Sequence, residues 1–315
     1  MRDSSRRSAE SAATPLQRLI VVACCCAIAT GTEHAHAAAG TPEAGGGWVA
    51  LTYDYTHMQF HLDPNGDKLD LGSMDINAVT TEMEYGVTDR LAVFGSLPYI
   101  QRKYTGSYPH TVTKPDGTVV VSPIDDGSYH GSFQDLLVGT KYQTGIGQWM
   151  ITPTITYGHP THDYYIFSHA AIGTKQKSTT VGLQTGRSLP EPFDRFYVEL
   201  DYAYSFMEKF QGTTANHSTG FIEVDYFATE RLMLRTFAVG QKTYDGIEPA
   251  DWAKDPKLYL HHEQIMRTDY IDAAIGALYV LNGRYTASLD VKHNIWGENV
   301  HQIKYDIGVG ISRAF

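Results

Sequence analysis

From residue 49 onward the chain is a succession of segments in which apolar and polar residues alternate one by one. In the last of them Ile303, Tyr305, Ile307, Val309 and Ile311 fall on one face, and Lys304, Asp306, Gly308, Gly310 and Ser312 on the other. A period of two is strand geometry, because successive side chains leave a β-strand on opposite sides, whereas a helix would scatter this pattern round its circumference. Twelve segments read this way: 49–57, 74–87, 91–99, 133–143, 149–157, 178–188, 196–206, 220–228, 232–239, 270–281, 285–295 and 303–315. The seventh is the clearest, with Phe196, Val198, Leu200, Tyr202, Tyr204 and Phe206 set against Tyr197, Glu199, Asp201, Ala203 and Ser205.

The connectors alternate in length. Tight turns lie at 87–90, 144–148, 190–194, 229–231 and 282–284, and longer loops are expected at 58–73, 100–132, 158–177, 207–219 and 240–269, with a shorter one at 297–301. Short turns at one end and long loops at the other are the organisation of a transmembrane β-barrel. After residue 37 no run of 18 apolar residues exists, so no membrane-crossing helix is available. The fold class expected is therefore all-β, a transmembrane antiparallel barrel of about 12 strands, with apolar faces on lipid and the other faces inside. Four turns carry an arginine before an apolar or aromatic residue: Arg90-Leu91, Arg195-Phe196, Arg231-Leu232 and Arg284-Tyr285. That is ordinary turn chemistry, or a row of cations at headgroup level beneath an aromatic girdle. Trp48 and Trp149 are expected in the girdle at this end and Trp296 in the one opposite. Pro98 and Pro153 fall inside strands, where a missing N–H requires a strand end or a bulge.

The N-terminus fits export. Arg2, Arg6, Arg7 and Arg18 precede an apolar run over 19–29, and Ala35-His36-Ala37 offers small residues for cleavage. The expected division is a signal peptide over 1–37, a periplasmic segment over 38–47 and the barrel over 48–315, in the outer membrane of a Gram-negative bacterium. Cys24, Cys25 and Cys26 all lie in the leader. The rest of the chain has no thiol for a disulfide, a thiolate metal site or a cysteine nucleophile. The closing strand and Phe315 resemble the terminal signature of outer-membrane barrels, which implies recognition by the barrel-assembly machinery. Arg313 departs from that signature, since it falls on the apolar face.

The leader holds 4 of the 25 basic and 3 of the 35 acidic residues, leaving 21 against 32, a net charge near −11. That excess argues against nucleic acid as a partner; outer-membrane lipid and a small-molecule solute are the partners expected. The inward faces would carry Asp54, Glu82, Glu84, Asp135, Glu199, Asp201, Glu223, Asp225, Asp272, Asp290 and Asp306 against Lys141, Arg235, Lys292 and Lys304. Such an interior is either a cation-preferring passage or a bracing network of ion pairs. Two loop sets contain metal-ligand types: His159 and His162 with Asp163, and His261 and His262 with Glu263. No zincin spacing follows the second set, so neither a metal nor a cofactor is expected. The run Asp63-Pro64-Asn65-Gly66-Asp67 reads as a turn rather than a calcium loop. No Gly-x-Ser-x-Gly, Walker or dinucleotide motif occurs, and no serine on the lipid face of neighbouring strands accompanies His293, so a lipid-modifying enzyme is the weakest of three readings. A channel is the first. The second is a plugged structural or surface-binding barrel.

Two segments carry a family resemblance. Gly131-Ser132-Phe133-Gln134-Asp135-Leu136-Leu137-Val138-Gly139-Thr140-Lys141-Tyr142 resembles the Gly-Asp-x-x-x-Gly-x-Lys-Tyr motif of the phenol-degradation meta-pathway family of outer-membrane β-barrel proteins, with Gln134 where that motif has glycine. Glu84-Tyr85-Gly86-Val87-Thr88-Asp89-Arg90-Leu91, followed by Leu97-Pro98-Tyr99, is similar to the family's second hairpin, and Arg267-Thr268-Asp269-Tyr270 to Ala277-Leu278-Tyr279 is compatible with it. The resemblance spans 48–315. It implies an exported, transporter-like barrel that helps aromatic or hydrophobic compounds across the outer membrane, with no catalytic residues.

Overall fold

The structure is a computed structural model and describes residues 39–113, 116–252 and 255–315; the leader expected over 1–37 lies outside them. Among the described residues there are sixteen strands: β1 (Gly47–Leu62), β2 (Lys68–Gly86), β3 (Leu91–Thr105), β4 (Thr111–Thr113), β5 (Val119–Val121), β6 (His130–Phe133), β7 (Asp135–Tyr142), β8 (Thr144–Ile146), β9 (Trp149–Pro160), β10 (Ser178–Ser188), β11 (Phe196–Met207), β12 (His217–Phe227), β13 (Leu232–Thr243), β14 (Asp269–Val280), β15 (Tyr285–Glu298) and β16 (Val300–Ala314). β4 and β5 form a small hairpin outside the main sheet, β6 and β7 share one position in it, and β8 folds back on β9, leaving a ring of twelve. Neighbours in the ring are antiparallel. β1 pairs with β2 and β16, and β9 pairs with β7 and β10, so the sheet has no open edge. At a strand spacing of ~4.8 Å and a tilt of ~40°, twelve strands enclose a backbone cylinder roughly 24 Å across.

Sidedness follows the alternation. On β1, Leu51 is 50% exposed and Thr52 3%; on β16, Ile307 is 41% exposed and Asp306 0%. The outward set includes Val49, Tyr53, Val79, Met83, Leu200, Ile222, Val291 and Val309, an apolar belt of a size that a water-soluble protein rarely presents. An apolar exterior round a polar interior is the arrangement of a barrel whose outer solvent is hydrocarbon.

The strands outrun the sequence segments at the loop end. β2 has 19 residues and β1 has 16, and only residues 63–67 connect them, so the long loop expected at 58–73 is a tight turn. Asp63 closes it by accepting from the Asn65 and Asp67 amides, and Gly66 supplies the left-handed residue at φ 81°.

At the other end three turns share one device. Thr88, Thr229 and Asn282 each accept from the backbone amides two and three residues on, so the capping group is the residue two before the arginine. Pro98 lies opposite the break between β6 and β7, where the Gln134 amide donates to its carbonyl. Pro153 pairs with Leu183 of β10, and on its other side the β7 and β8 registers part. Both prolines thus occupy irregularities that spare a ladder donor.

Replacing the outward Leu51 by lysine should destabilise the barrel by ~2–4 kcal/mol near the bilayer midplane. Denaturant unfolding of Leu51→Lys in lipid vesicles measures this. A barrel bathed in water on its outside would show almost no change.

Candidate translocation pathway

The eleven acids assigned to the interior all sit on strands of the ring, turned away from the apolar belt. Asp54, Glu82, Glu84, Glu199, Glu223, Asp225, Asp272, Asp290 and Asp306 are buried, and Asp135 and Asp201 half-buried. Lys141, Arg235 and Lys292 are buried with them. Lys304 is not: a register shift between His57 and Met58 of β1 bulges β16 there, turning Lys304 outward and Ile303 inward, the reverse of the regular alternation. The carbonyl that the bulge frees accepts from Nδ1 of His293 at 2.7 Å. Trp48 is also a correction. It is only 5% exposed, so it points inside rather than into a lipid-facing girdle, as its place beside Val49 requires.

Eleven acids therefore face three of the predicted bases and a fourth that sequence reading missed, Arg102 of β3, which lies opposite the buried Ile76 on the inner wall. Lys141 pairs with Glu84 at 2.9 Å. Arg235 grips Asp290 with two parallel bonds and lies 3.9 Å from Glu223. This bidentate pair spans a whole strand, because Gly276 stands between its partners in the register, opposite both Arg235 and Asp290. A Cβ on Gly276 would sit 1.9 Å from Asp290 Oδ1. Lys292 lies opposite Asp306 in the β15–β16 register. Elsewhere like charges adjoin: Glu199 on β11 is the direct partner of Glu223 on β12. Among the described residues neither carboxylate oxygen of Asp54 has a hydrogen-bond partner.

Both ends of the cylinder are narrowed from within. At the turn end, residues 39–46 run along the inner wall from β1 past the Asp89 turn and β7 to β11, six strands round and so on the opposite side. Ala44 N–H donates to Asp89 Oδ1, Thr41 N–H to Gln143 Oε1 at 2.7 Å, and Ala39 N–H to Glu199 Oε2 at 3.2 Å, while the Ala39 carbonyl accepts from Thr152. Ala39 is completely buried.

At the loop end, residues 161–177 fold into the mouth. Tyr164 and Ile172 pack on Ile76, Ala78 and Ile100, and Ala170 packs with Met74 and Tyr104. The inner face of β2 thus changes character along its length, from Glu84, Glu82 and Thr80 to Ala78, Ile76 and Met74. Tyr164 donates to Asp135 at 2.6 Å, which ties the folded loop to β7.

Two further loops lock onto this one. Asp125 accepts from Ser168 Oγ and the Ala170 amide through one oxygen and from the His110 amide through the other. Gln264, within the short helical segment His262–Ile265, donates to the Thr174 carbonyl at 2.7 Å. Where the three loops meet, His110, His169, His262, Glu263 and Asp125 converge. Burial pulls the His110 imidazole down, but its hydrogen bonds to the Asp125 and Glu263 carboxylates outweigh it and raise it to about 9. Burial and the neighbouring His110 push His169 down to about 4.

Of the histidines singled out from the sequence, only His262 belongs to this cluster. His159 turns to the Pro160 carbonyl, His162 bonds Ser132 and Thr161, Asp163 pairs with Lys175, and His261 bonds Gln264 and stacks on Phe210. His110, Asp125 and His169 escaped sequence reading because 15 and 44 residues separate Asp125 from His110 and His169, with no local spacing to mark them.

No family model and no curated protein matches the chain. Among solved structures, the COG4313 outer membrane channel from Pseudomonas putida F1 aligns over 88% of this chain and 97% of its own, with a TM-score of 0.67 and 12% identity. The CymD monoaromatic hydrocarbon channel aligns over 86% and 88% with a TM-score of 0.45 and 10% identity, and the KdgM porin over 84% and 99% with 0.43 and 8%. The first establishes the fold shared, that of a closed outer-membrane barrel.

Gly276→Ala should cost about as much as Arg235→Ala, roughly 3 kcal/mol, since either leaves Asp290 without its partner. The double substitution should cost little more than one. Unfolding midpoints of the three variants in vesicles measure the coupling.

Proposed function

We propose that this protein is a passive outer-membrane channel for small molecules with a cation-preferring, polar constriction. The observation that carries this reading is the imbalance on the inner wall. Four inward bases cannot pair eleven acids, and among the described residues neither oxygen of Asp54 has a hydrogen-bond partner, so water or passing cations are left to satisfy it. A bracing network alone would balance its charges; here Lys141 braces Glu84, Arg235 braces Asp290 and Glu223, and Lys292 stands opposite Asp306, with acids in excess. On this reading the turn end faces the periplasm and the loops face outward, and the exterior belt contacts outer-membrane lipid.

An aromatic or otherwise apolar solute is supported by two features: the resemblance of residues 131–142 to the phenol meta-pathway family, and the apolar stretch of inner wall at Ile76, Ala78 and Ile100 beneath Tyr164. A solute of that kind would meet apolar surface first and carboxylates second. The tightness of the loop lid favours a second reading, a closed barrel whose loops bind a surface partner. Among the described residues no nucleophile–base pair lies at the lipid face, and catalysis is not part of the proposal.

Planar-bilayer recordings with purified protein test the reading. The expected result is a small conductance whose reversal potential in a KCl gradient favours K⁺, rising several-fold when residues 162–176 are removed. Absence of both conductance and solute flux into liposomes, in the full chain and in the loop deletion alike, would remove the channel reading.

A further inference from the structure

Where the loops meet, three ligand atoms stand at the corners of a nearly equilateral triangle. His110 Nε2 lies 3.0 Å from His262 Nε2 and 3.3 Å from Glu263 Oε1, and His262 Nε2 lies 3.2 Å from that same oxygen. A tetrahedral zinc ion bound at 2.0–2.1 Å has ligands separated by about 3.3 Å, so the triangle is the size of one face of its coordination shell.

The protons point the same way. His262 Nδ1 faces the Tyr259 carbonyl at 2.6 Å, a group that only accepts, so Nδ1 carries the hydrogen and Nε2 the lone pair. His110 Nδ1 faces Asp125 Oδ2 at 3.3 Å, which favours the same tautomer. Two lone pairs and a carboxylate oxygen would then stand within 3.3 Å of one another, an arrangement that repels itself unless a cation or a proton lies between them. A carboxylate and a carbonyl behind the two ligating imidazoles are also the supports that metal-bound histidines use.

A fourth ligand stands beside the triangle. The ligand atoms of His110, His169 and Glu263 all lie within 4.8 Å of one another. His169 gives Nε2–H to the Tyr108 carbonyl at 3.1 Å, which leaves Nδ1 as its ligand atom, and that nitrogen is buried without a hydrogen-bond partner among the described residues. Glu263 keeps 26% of its side chain accessible, which provides an entry path.

We infer that His110, His169, His262 and Glu263 form a binding site for a divalent first-row metal ion, Zn²⁺ by its ligand set and geometry, which pins the three loops to one another over the mouth of the barrel. Three imidazoles and one carboxylate suit zinc, copper or nickel and do not suit calcium or magnesium. The ligands come from three separate loops, so the ion would act as a staple among segments that otherwise share only a few hydrogen bonds. The one competing occupant is a proton on His110, donated by Nε2 to His262 or Glu263.

Calorimetry with ZnCl₂ on purified, metal-stripped full-length protein in detergent tests the site without requiring that the barrel conduct. The expected result is one Zn²⁺ per chain. Affinity should fall at least 100-fold in His110→Asn and in His262→Ala, fall 10- to 100-fold in Asp125→Asn, which removes only a support, and change less than 2-fold in the exposed-loop variant His162→Ala. Co²⁺ added in place of Zn²⁺ should give the intense visible absorption of a tetrahedral centre, lost in His110→Asn. Heat-modifiable migration on gels confirms that each variant is a folded barrel, and the Asp125→Asn and Co²⁺ measurements stand if one variant fails to fold. No saturable binding at millimolar Zn²⁺ would mean a cluster held by a proton alone. Binding that persists unchanged in both His110→Asn and His262→Ala would mean an adventitious ion only. Either result overturns the inference.

Discussion

Everything in this molecule depends on the ring of backbone hydrogen bonds being closed. Hydrocarbon offers no partner to a peptide group, so each N–H and C=O in the apolar belt must find one in an adjacent strand. The contact that secures closure joins the two ends of the barrel, β1 with β16. Once the ring is closed, its outward face is free to be apolar and its inward face to be charged. The Leu51 and Thr52 side chains, adjacent in sequence, live in different solvents for that reason.

Closure also sets the terms on which the acids survive inside. A 24 Å cylinder lined by side chains is too narrow to behave as bulk water and too wide for every carboxylate to reach a base. The wall resolves this locally. Gly276 yields its side-chain volume so that Arg235 can cross a strand to Asp290, and Lys141 meets Glu84 across β3. Asp54, whose oxygens have no hydrogen-bond partner among the described residues, marks where solvent or a passing ion can take part.

The architecture was legible because period-two patterning and turn chemistry are local. Each of the twelve barrel strands coincides with an alternating segment, and the prolines at 98 and 153 signalled their bulges. What escaped had one of two causes. A bulge shifts parity without any mark in composition, so Lys304 and Ile303 exchanged sides unseen. Loop structure depends on contacts between residues far apart, so the apolar patch from Met74 to Ala78 read as ordinary alternation until Tyr164 and Ile172 were found lying on it. The histidines that looked adjacent in sequence, 159 with 162 and 261 with 262, turned to local carbonyls and hydroxyls, apart from His262, whose ring neighbours come from elsewhere in the chain.

The segment ahead of β1 has a practical consequence. Ala39 is sealed inside the turn end, bonded to Glu199 and Thr152 on the far side of the ring. An affinity tag or fusion partner joined just upstream would have to thread the cylinder or drag residues 39–46 out of it. A protein purified by such a handle would carry a different obstruction from the native one, whereas the short turns at Thr229 and Asn282, or the exposed loop tips, could accept an insertion without disturbing the bore.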